Sequence, residues 1–242
     1  MTNYAITISY DGGGFCGWQH QASGDSIQDA IEAAVYSLSG EKVKVVGSGR
    51  TDAGVHALGQ VASFSLEKEL AEKVIVGGLN AHLPRSIRVL SAVKKDESFD
   101  ARKSAKRKTY MYLMYRGKEL PVLANRALCV GDANVEMMRA AAKDIIGTHD
   151  FATFKAAGSG AKTSVRTVYD AHIDDDGFFI KFFITANGFL YNMVRIISAQ
   201  LVKAGSGTDV DIKELIEKKD RTAAKETAPA HALYLYSVEY TE

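Results

Sequence analysis

Two kinds of apolar spacing alternate along this chain, and their order constrains the fold more than any other feature. Tyr4, Ile6, Ile8 and Tyr10 recur at every second residue, the mark of a strand with one buried face. Ile27, Ala30, Ile31, Ala34, Val35 and Leu38 then recur at helical spacing. Ser26 with Asp29 three residues on forms a capping-box start, and Gly40 follows the end. Strand patterns near Val43–Gly47 and Gln60–Leu66, a helix from Glu67 to about Asn80 and a strand over Ile87–Val93 complete the first half. The order is β-α-β-β-α-β, the ferredoxin-like split.

The remainder repeats the order without repeating the sequence. A strand at Thr109–Tyr115 precedes a helix from the cap Asn134 to Ile146, with Gly147 after it. Strands at Val165–Ile173 and Phe178–Thr185 lead to a helix from about Gly188 to Ala204, closed by Gly205. A short helix near Asp211–Lys219 and a last strand, Leu233–Tyr240, follow. The expectation is an α+β protein of two halves, residues 1–103 and 104–242, with a cleft between them. With 242 residues, 46% of them apolar and only three prolines, the chain has ample material for a continuous core.

The formal net charge of +1 conceals a segregation. Ala81 to Lys118 holds 11 Lys+Arg against Asp96, Glu97 and Asp100, a net of +8, which leaves −7 for the rest. Lys103, Lys106, Arg107 and Lys108 lie in this stretch, at the expected seam between the halves. Gly177 to Thr208 has Lys181, Arg195 and Lys203 and no acid. A neutral chain arranged in this way can still offer a positive face to phosphate; counter-charges close in space are the alternative. Cys16 and Cys129 form no framework or metal spacing, and the six histidines do not cluster, so no metal is expected. The N-terminus lacks a signal-peptide pattern and no apolar run reaches the ~18 residues of a membrane span, so a cytoplasmic protein is expected.

Four segments carry chemistry. Gly12-Gly13-Gly14-Phe15-Cys16-Gly17 matches G-x-G-x-x-G after a strand, but the helix does not start until Ser26 and no acid ends the second strand. Those absences argue against a dinucleotide site and for a loop that approaches a substrate or turns the chain. Gly49-Arg50-Thr51-Asp52-Ala53-Gly54-Val55-His56-Ala57 presents Arg50 and Asp52 two residues apart, on the same side of extended backbone. A carboxylate beside a guanidinium stays ionised, which suits a nucleophile, although a turn aspartate can equally bond its own backbone. Lys106-Arg107-Lys108-Thr109-Tyr110-Met111-Tyr112 sets aromatics beside cations, as proteins that hold extruded bases do; core aromatics at a basic strand end are the alternative. In Phe189-Leu190-Tyr191-Asn192-Met193-Val194-Arg195, the guanidinium of Arg195 sits amid apolar residues. Buried there, it needs an acid from elsewhere, with the Asp52 turn as best candidate; otherwise it snorkels to the surface.

Taken together these segments resemble the bacterial tRNA pseudouridine synthase A family. Ser98-Phe99-Asp100-Ala101-Arg102, Asp150-Phe151, Arg166 and Ala228-Pro229-Ala230 extend the likeness nearly end to end. The resemblance implies an extended, mostly antiparallel sheet with helices on one side and a basic active-site cleft between the halves. It also implies a homodimer without a cofactor that isomerises uridine at positions 38, 39 and 40 of the tRNA anticodon stem-loop. By the same resemblance Asp52 is the nucleophile, Tyr110 stacks on the target uracil, Arg195 pairs with Asp52 and Arg50 assists base extrusion. Lys103, Lys106, Arg107 and Lys108 are the candidates for RNA-backbone contact. Two positions depart from the family pattern: Ser26-Ile27 where Thr-Val is usual, and Ala232 where glycine is usual. A non-catalytic RNA-binding module using the same basic seam is the rival of a different class.

Overall fold

The computed structural model describes residues 1–22, 24–158 and 160–241. The chain divides into two compact units, Met1–Lys106 with Leu235–Glu242, and Arg107–Tyr234. In the first unit, β1 (Thr2–Tyr10) lies between β3 (His56–Leu66) and β4 (Ile87–Lys95), antiparallel to both. β2 (Val46–Gly47) pairs with β3, and Leu235–Glu239 of β10 (Leu233–Glu239) belongs to this unit. Tyr4, Ile6 and Ile8 are fully buried, as the alternation requires. The opposite face of β1 is covered where Ala5 joins Val61 and Ala101, with Phe99, Val238 and Tyr240 packed against them.

Helix α1 (Ile27–Ser39) buries Ile27, Ile31, Ala34 and Val35; the Ser26 side chain accepts from Asp29 N–H, and Gly40 closes the end at φ 77°. Helix α2 (Glu72–His82) starts five residues later than the apolar spacing suggests. The Glu41 carboxylate takes the N–H groups of Glu67 and Lys68, and the Tyr4 hydroxyl takes that of Leu70. Those donors are thereby held outside a helix.

In the second unit the strand order is β5 (Arg107–Tyr115), β9 (Phe179–Ala186), β8 (Val165–Asp175) and β7 (Gly147–Asp150), all antiparallel. The two-residue β6 (Leu128–Cys129) runs parallel to β5. Ile180, Phe182, Ile184 and Ala186 of β9 are fully buried at strict period 2. Helix α3 (Val135–Lys143) packs on α4 (Met193–Gly205), where a Cβ on Gly205 would meet Met138 at 2.8 Å, and α5 (Ile212–Lys218) follows.

The second half departs from its expected pattern in three places. β6 and β7 are additional strands, α3 stops at Lys143 rather than Ile146, and α4 begins at Met193 rather than near Gly188. Asn192 causes the last of these: its left-handed backbone, φ 59°, interrupts any helix through Phe189–Tyr191. The α+β class is as the periodicities imply, and the mostly antiparallel pairing is as the resemblance implies.

Candidate active site

The connection from β2 to β3 holds Asp52 against main chain rather than leaving it on a free loop. Asp52 and Gly17 form an isolated antiparallel bridge, Trp18 N–H donates to Thr51 O at 3.0 Å, and Val55 N–H donates to Asp52 O at 3.1 Å. The approach is too close for side chains. A Cβ on Gly17, whose φ is +111°, would lie 2.7 Å from Thr51 O, and one on Gly12 only 2.0 Å from Val55 O. Gly12–Gly14 form a single 3-10 turn, and α1 does not start until Ile27. Gly12 and Gly17 of the G-x-G-x-x-G match therefore seat the Asp52 turn, and no helix opens at these glycines as a dinucleotide site requires.

His56, only 1% exposed, places Nδ1 at 3.1 Å from Gly12 N–H and 3.1 Å from Asp11 Oδ1, tying the glycine loop to the far end of the turn. Trp18 is buried against Gly47, where a Cβ would meet its ring at 2.4 Å. Asp52 itself is half-buried and Arg50 is exposed. That combination keeps a carboxylate reachable on a backbone that cannot drift.

In the second unit, Tyr110 lies on β5 opposite Ile184 and is 8% exposed. Phe189 meets its ring edge-on, with centroids 5.0 Å apart at 86°, which fixes the plane of the phenol. Two residues on, Tyr112 is fully buried and donates to Pro229 O at 3.0 Å; burial pushes its hydroxyl well above the usual tyrosine range. The half-buried Arg195 donates from Nε to Ala228 O at 2.7 Å and from Nη1 to Asn192 Oδ1 at 2.9 Å. Asn192 thus stops the helix with its backbone and holds the guanidinium with its side chain. Nearby, burial lowers the His231 imidazole from its usual range, with a smaller push in the same direction from the Arg195 charge and a backbone hydrogen bond with Ala127 acting against both. Ala232, where glycine is usual in the family, is fully buried in a 3-10 turn spanning Ala230–Ala232.

The basic stretch is partly used internally. Lys94 pairs with Glu69, and Arg116 with Asp175 at 2.7 Å. Lys103, Lys106 and Arg107 are exposed and Lys108 is half-buried. Arg107 stacks over the Tyr169 ring at 4.5 Å, a cation and an exposed aromatic held as one platform. Asp52, Arg50, Lys103 and Lys106 belong to the first unit; Arg107, Lys108, Tyr110 and Arg195 belong to the second. His56, Phe189 and Asn192 contact the candidate residues or the loops that carry them and have no assigned role in the sequence. Only the spacing of Phe189 and Asn192 from Arg195 hints at them. Among the described residues no group of three or more His, Cys, Asp or Glu could hold a metal, and no helix is long and apolar enough to cross a membrane.

The first unit thus holds a carboxylate on a braced turn, and the second, taken by itself, an oriented phenol and a held guanidinium, side chains of the kind that enzymes use. Comparison with known proteins gives the chain a family. A sequence model of the family described as tRNA pseudouridine synthase matches residues 6–102 and 141–241. A protein of Thermoanaerobacter sp. (strain X514) is 41% identical over 244 residues, covering 99% of this chain and all of its own. One from Caldicellulosiruptor bescii is 44% identical with the same coverage, and one from Bacillus licheniformis is 43% identical over 97% of each chain. All three are called tRNA pseudouridine synthase A. The chain belongs to the tRNA pseudouridine synthase family, whose reaction is an isomerisation. Asp52 and Arg195 fall inside the stretches matched by the family model, and Tyr110 falls in the gap between them.

Proposed function

We propose that this protein converts uridine to pseudouridine at positions 38, 39 and 40 of the tRNA anticodon stem-loop, with Asp52 as nucleophile. The observation that carries the proposal is the seat of Asp52: a half-buried carboxylate whose backbone is bridged to Gly17. The reaction breaks the N1–C1′ bond, turns the uracil and joins C5 to C1′; the proton lost from C5 is balanced by one gained at N1. No electrons are exchanged with an outside partner, so the chemistry asks for no cofactor. A stacked base cannot expose C1′ or C6, so the uridine must first leave the stem, at a cost of a few kcal/mol.

Within this proposal the Asp52 carboxylate attacks C1′ or C6, both of which one nucleophile can serve. Tyr110, oriented by Phe189, covers the flipped uracil. Arg195, held by Asn192 and Ala228, pairs with Asp52 and keeps it ionised. The exposed Arg50 assists extrusion, and Lys103, Lys106, Arg107 and Lys108 follow the phosphates. The same reading has the protein work as a homodimer in the cytoplasm, and the relatives' shared name supports tRNA as its substrate.

Site choice is tested with a tRNA transcript whose anticodon-arm uridines are confined to positions 38, 39 and 40, mapped by carbodiimide-dependent reverse-transcription stops. Stops at those positions are expected; stops only elsewhere in the tRNA would overturn the assignment. A second test concerns the basic stretch. Reversing Lys106 and Lys108 to glutamate should weaken tRNA binding and flatten the slope of log K against log salt by about 1 for each phosphate that is no longer neutralised. The Lys106 main-chain bond to Glu239 O is untouched by the exchange. Equal slopes for variant and wild type would place these side chains away from the RNA.

A further inference from the structure

Beneath the turn that carries Asp52 lies a set of buried polar side chains that the chemistry above does not use. Gln60, on β3, is fully buried. Its Oε1 accepts from the Ser48 hydroxyl at 2.6 Å and from Val61 N–H at 3.2 Å, and its Nε2 donates to Gly49 O at 3.0 Å. Gln60 also bonds the Tyr10 hydroxyl, which lies 2.8 Å from Thr51 Oγ1. Ser48, Gly49 and Thr51 are thus all bonded to side chains rooted in β1 and β3, while Arg50 between them is left exposed.

A turn bounded by Gly47 and containing Gly49 has wide conformational freedom, and the buried Ser48 and Thr51 hydroxyls and the half-buried Gly49 carbonyl cost free energy unless each is bonded. A carboxamide answers both needs at once, since it accepts on one atom and donates on the other. An apolar side chain of equal volume would fill the space but leave the Ser48 hydroxyl and Gly49 carbonyl unbonded.

We propose that Gln60 is a positioning residue for the isomerisation: with Tyr10 it locks residues 48–51 so that Asp52 is presented in one orientation, which rests on Asp52 being the nucleophile. Its effect belongs on the rate of the chemical step and not on the binding of tRNA. A displacement of about 1 Å at a reacting group can cost about 100-fold in rate.

Three variants test this on the full chain with an anticodon stem-loop. Gln60→Met keeps the volume and removes every bond; its single-turnover rate should fall about 10- to 100-fold, with affinity for the stem-loop within about twofold of wild type. Tyr10→Phe should show the same split with a smaller effect on rate. Gln60→Glu reads the hydrogen bonding itself. Ionised, it sets an oxygen against Gly49 O; protonated, it restores the donor. Burial raises the pKa of such a carboxyl. Its rate relative to wild type should therefore climb as pH falls from about 8.5 to about 6.

Tyr10 faces this position from β1, and burial pushes its hydroxyl up to about 12, so it stays protonated throughout. Arg50 and Asp52 are the charged groups of the turn and are common to both proteins, so the ratio to wild type removes their titration. A Gln60→Met protein with the wild-type rate, or a flat relative profile for Gln60→Glu, overturns the proposal. Asp52→Ala in the same assay separates the two levels. If it is active, the nucleophile assignment falls and the positioning role with it. If it is inactive beside an unimpaired Gln60→Met, positioning alone is refuted.

Discussion

Alanine at position 52 is expected to lower the single-turnover rate of pseudouridine formation by about 10⁴-fold or more while stem-loop affinity stays within about threefold. The expectation follows from where Asp52 makes its fold-bearing contacts. The bridge to Gly17 and the bond from Val55 N–H use its main chain, so both survive removal of the side chain. Removing a negative charge beside a polyanion should not weaken binding. What disappears is the only oxygen nucleophile proposed for the reaction, and binding alone does not substitute for it. Nucleoside analysis of digested tRNA gives the rate, and filter binding gives the affinity. Equal reductions in both would instead make Asp52 a recognition residue, as in a non-catalytic RNA-binding module.

The second large effect is expected at Gly17, which packs against the Asp52 turn. Gly17→Ala should cost at least about 2 kcal/mol of stability, because an alanine at φ +111° is strained before any contact is counted. Its Cβ would in addition lie 2.7 Å from Thr51 O and 3.2 Å from Ala53 N, both backbone atoms that cannot rotate away. For a chain of this length that cost lowers Tm by roughly 4 to 8 °C. Gly40→Ala is the control: its φ is 77° but nothing lies within 4 Å of the new methyl, so about 1 kcal/mol is expected. Because the atoms that Gly17→Ala would displace flank Asp52, the surviving folded protein should also react more slowly, which Gly40→Ala should not. Equal Tm shifts for the two variants would mean that the close approach of the two loops carries no energy.

Local signals place most elements, and the misplaced boundaries trace to a partner far along the chain at α2 and to a single left-handed residue at α4. Helix α1 is legible because its cap, its apolar stripe and its closing glycine lie within one stretch of sequence. The start of α2 is not, since the residue that takes the Glu67 N–H is Glu41. Phe189, Leu190 and Tyr191 have helix-like spacing, but one left-handed asparagine after them moves the start of α4 to Met193. β6 and β7, two and four residues long, are too short to show a period.

The candidate site divides in the same way. Asp52 and Tyr110 stand out because their neighbours form distinctive motifs. Gln60 does not, because in the sequence it is only the start of the strand pattern Gln60–Leu66, and its full burial under the turn follows from the fold. Charge segregation overstates the basic stretch for an equally physical reason: Lys94 and Arg116 are matched by Glu69 and Asp175, supplied from other parts of the chain.

Whether the Asp52 carboxylate drives base isomerisation is open to one direct measurement. Release of tritium from C5-labelled uridine in an anticodon stem-loop reports that step, because the C5 hydrogen leaves only when C5 becomes bonded to C1′. Wild-type protein should release tritium in step with pseudouridine formed, and Asp52→Ala should release none above the protein-free control. No release by the wild type, or equal release by the two proteins, would contradict the role given to Asp52.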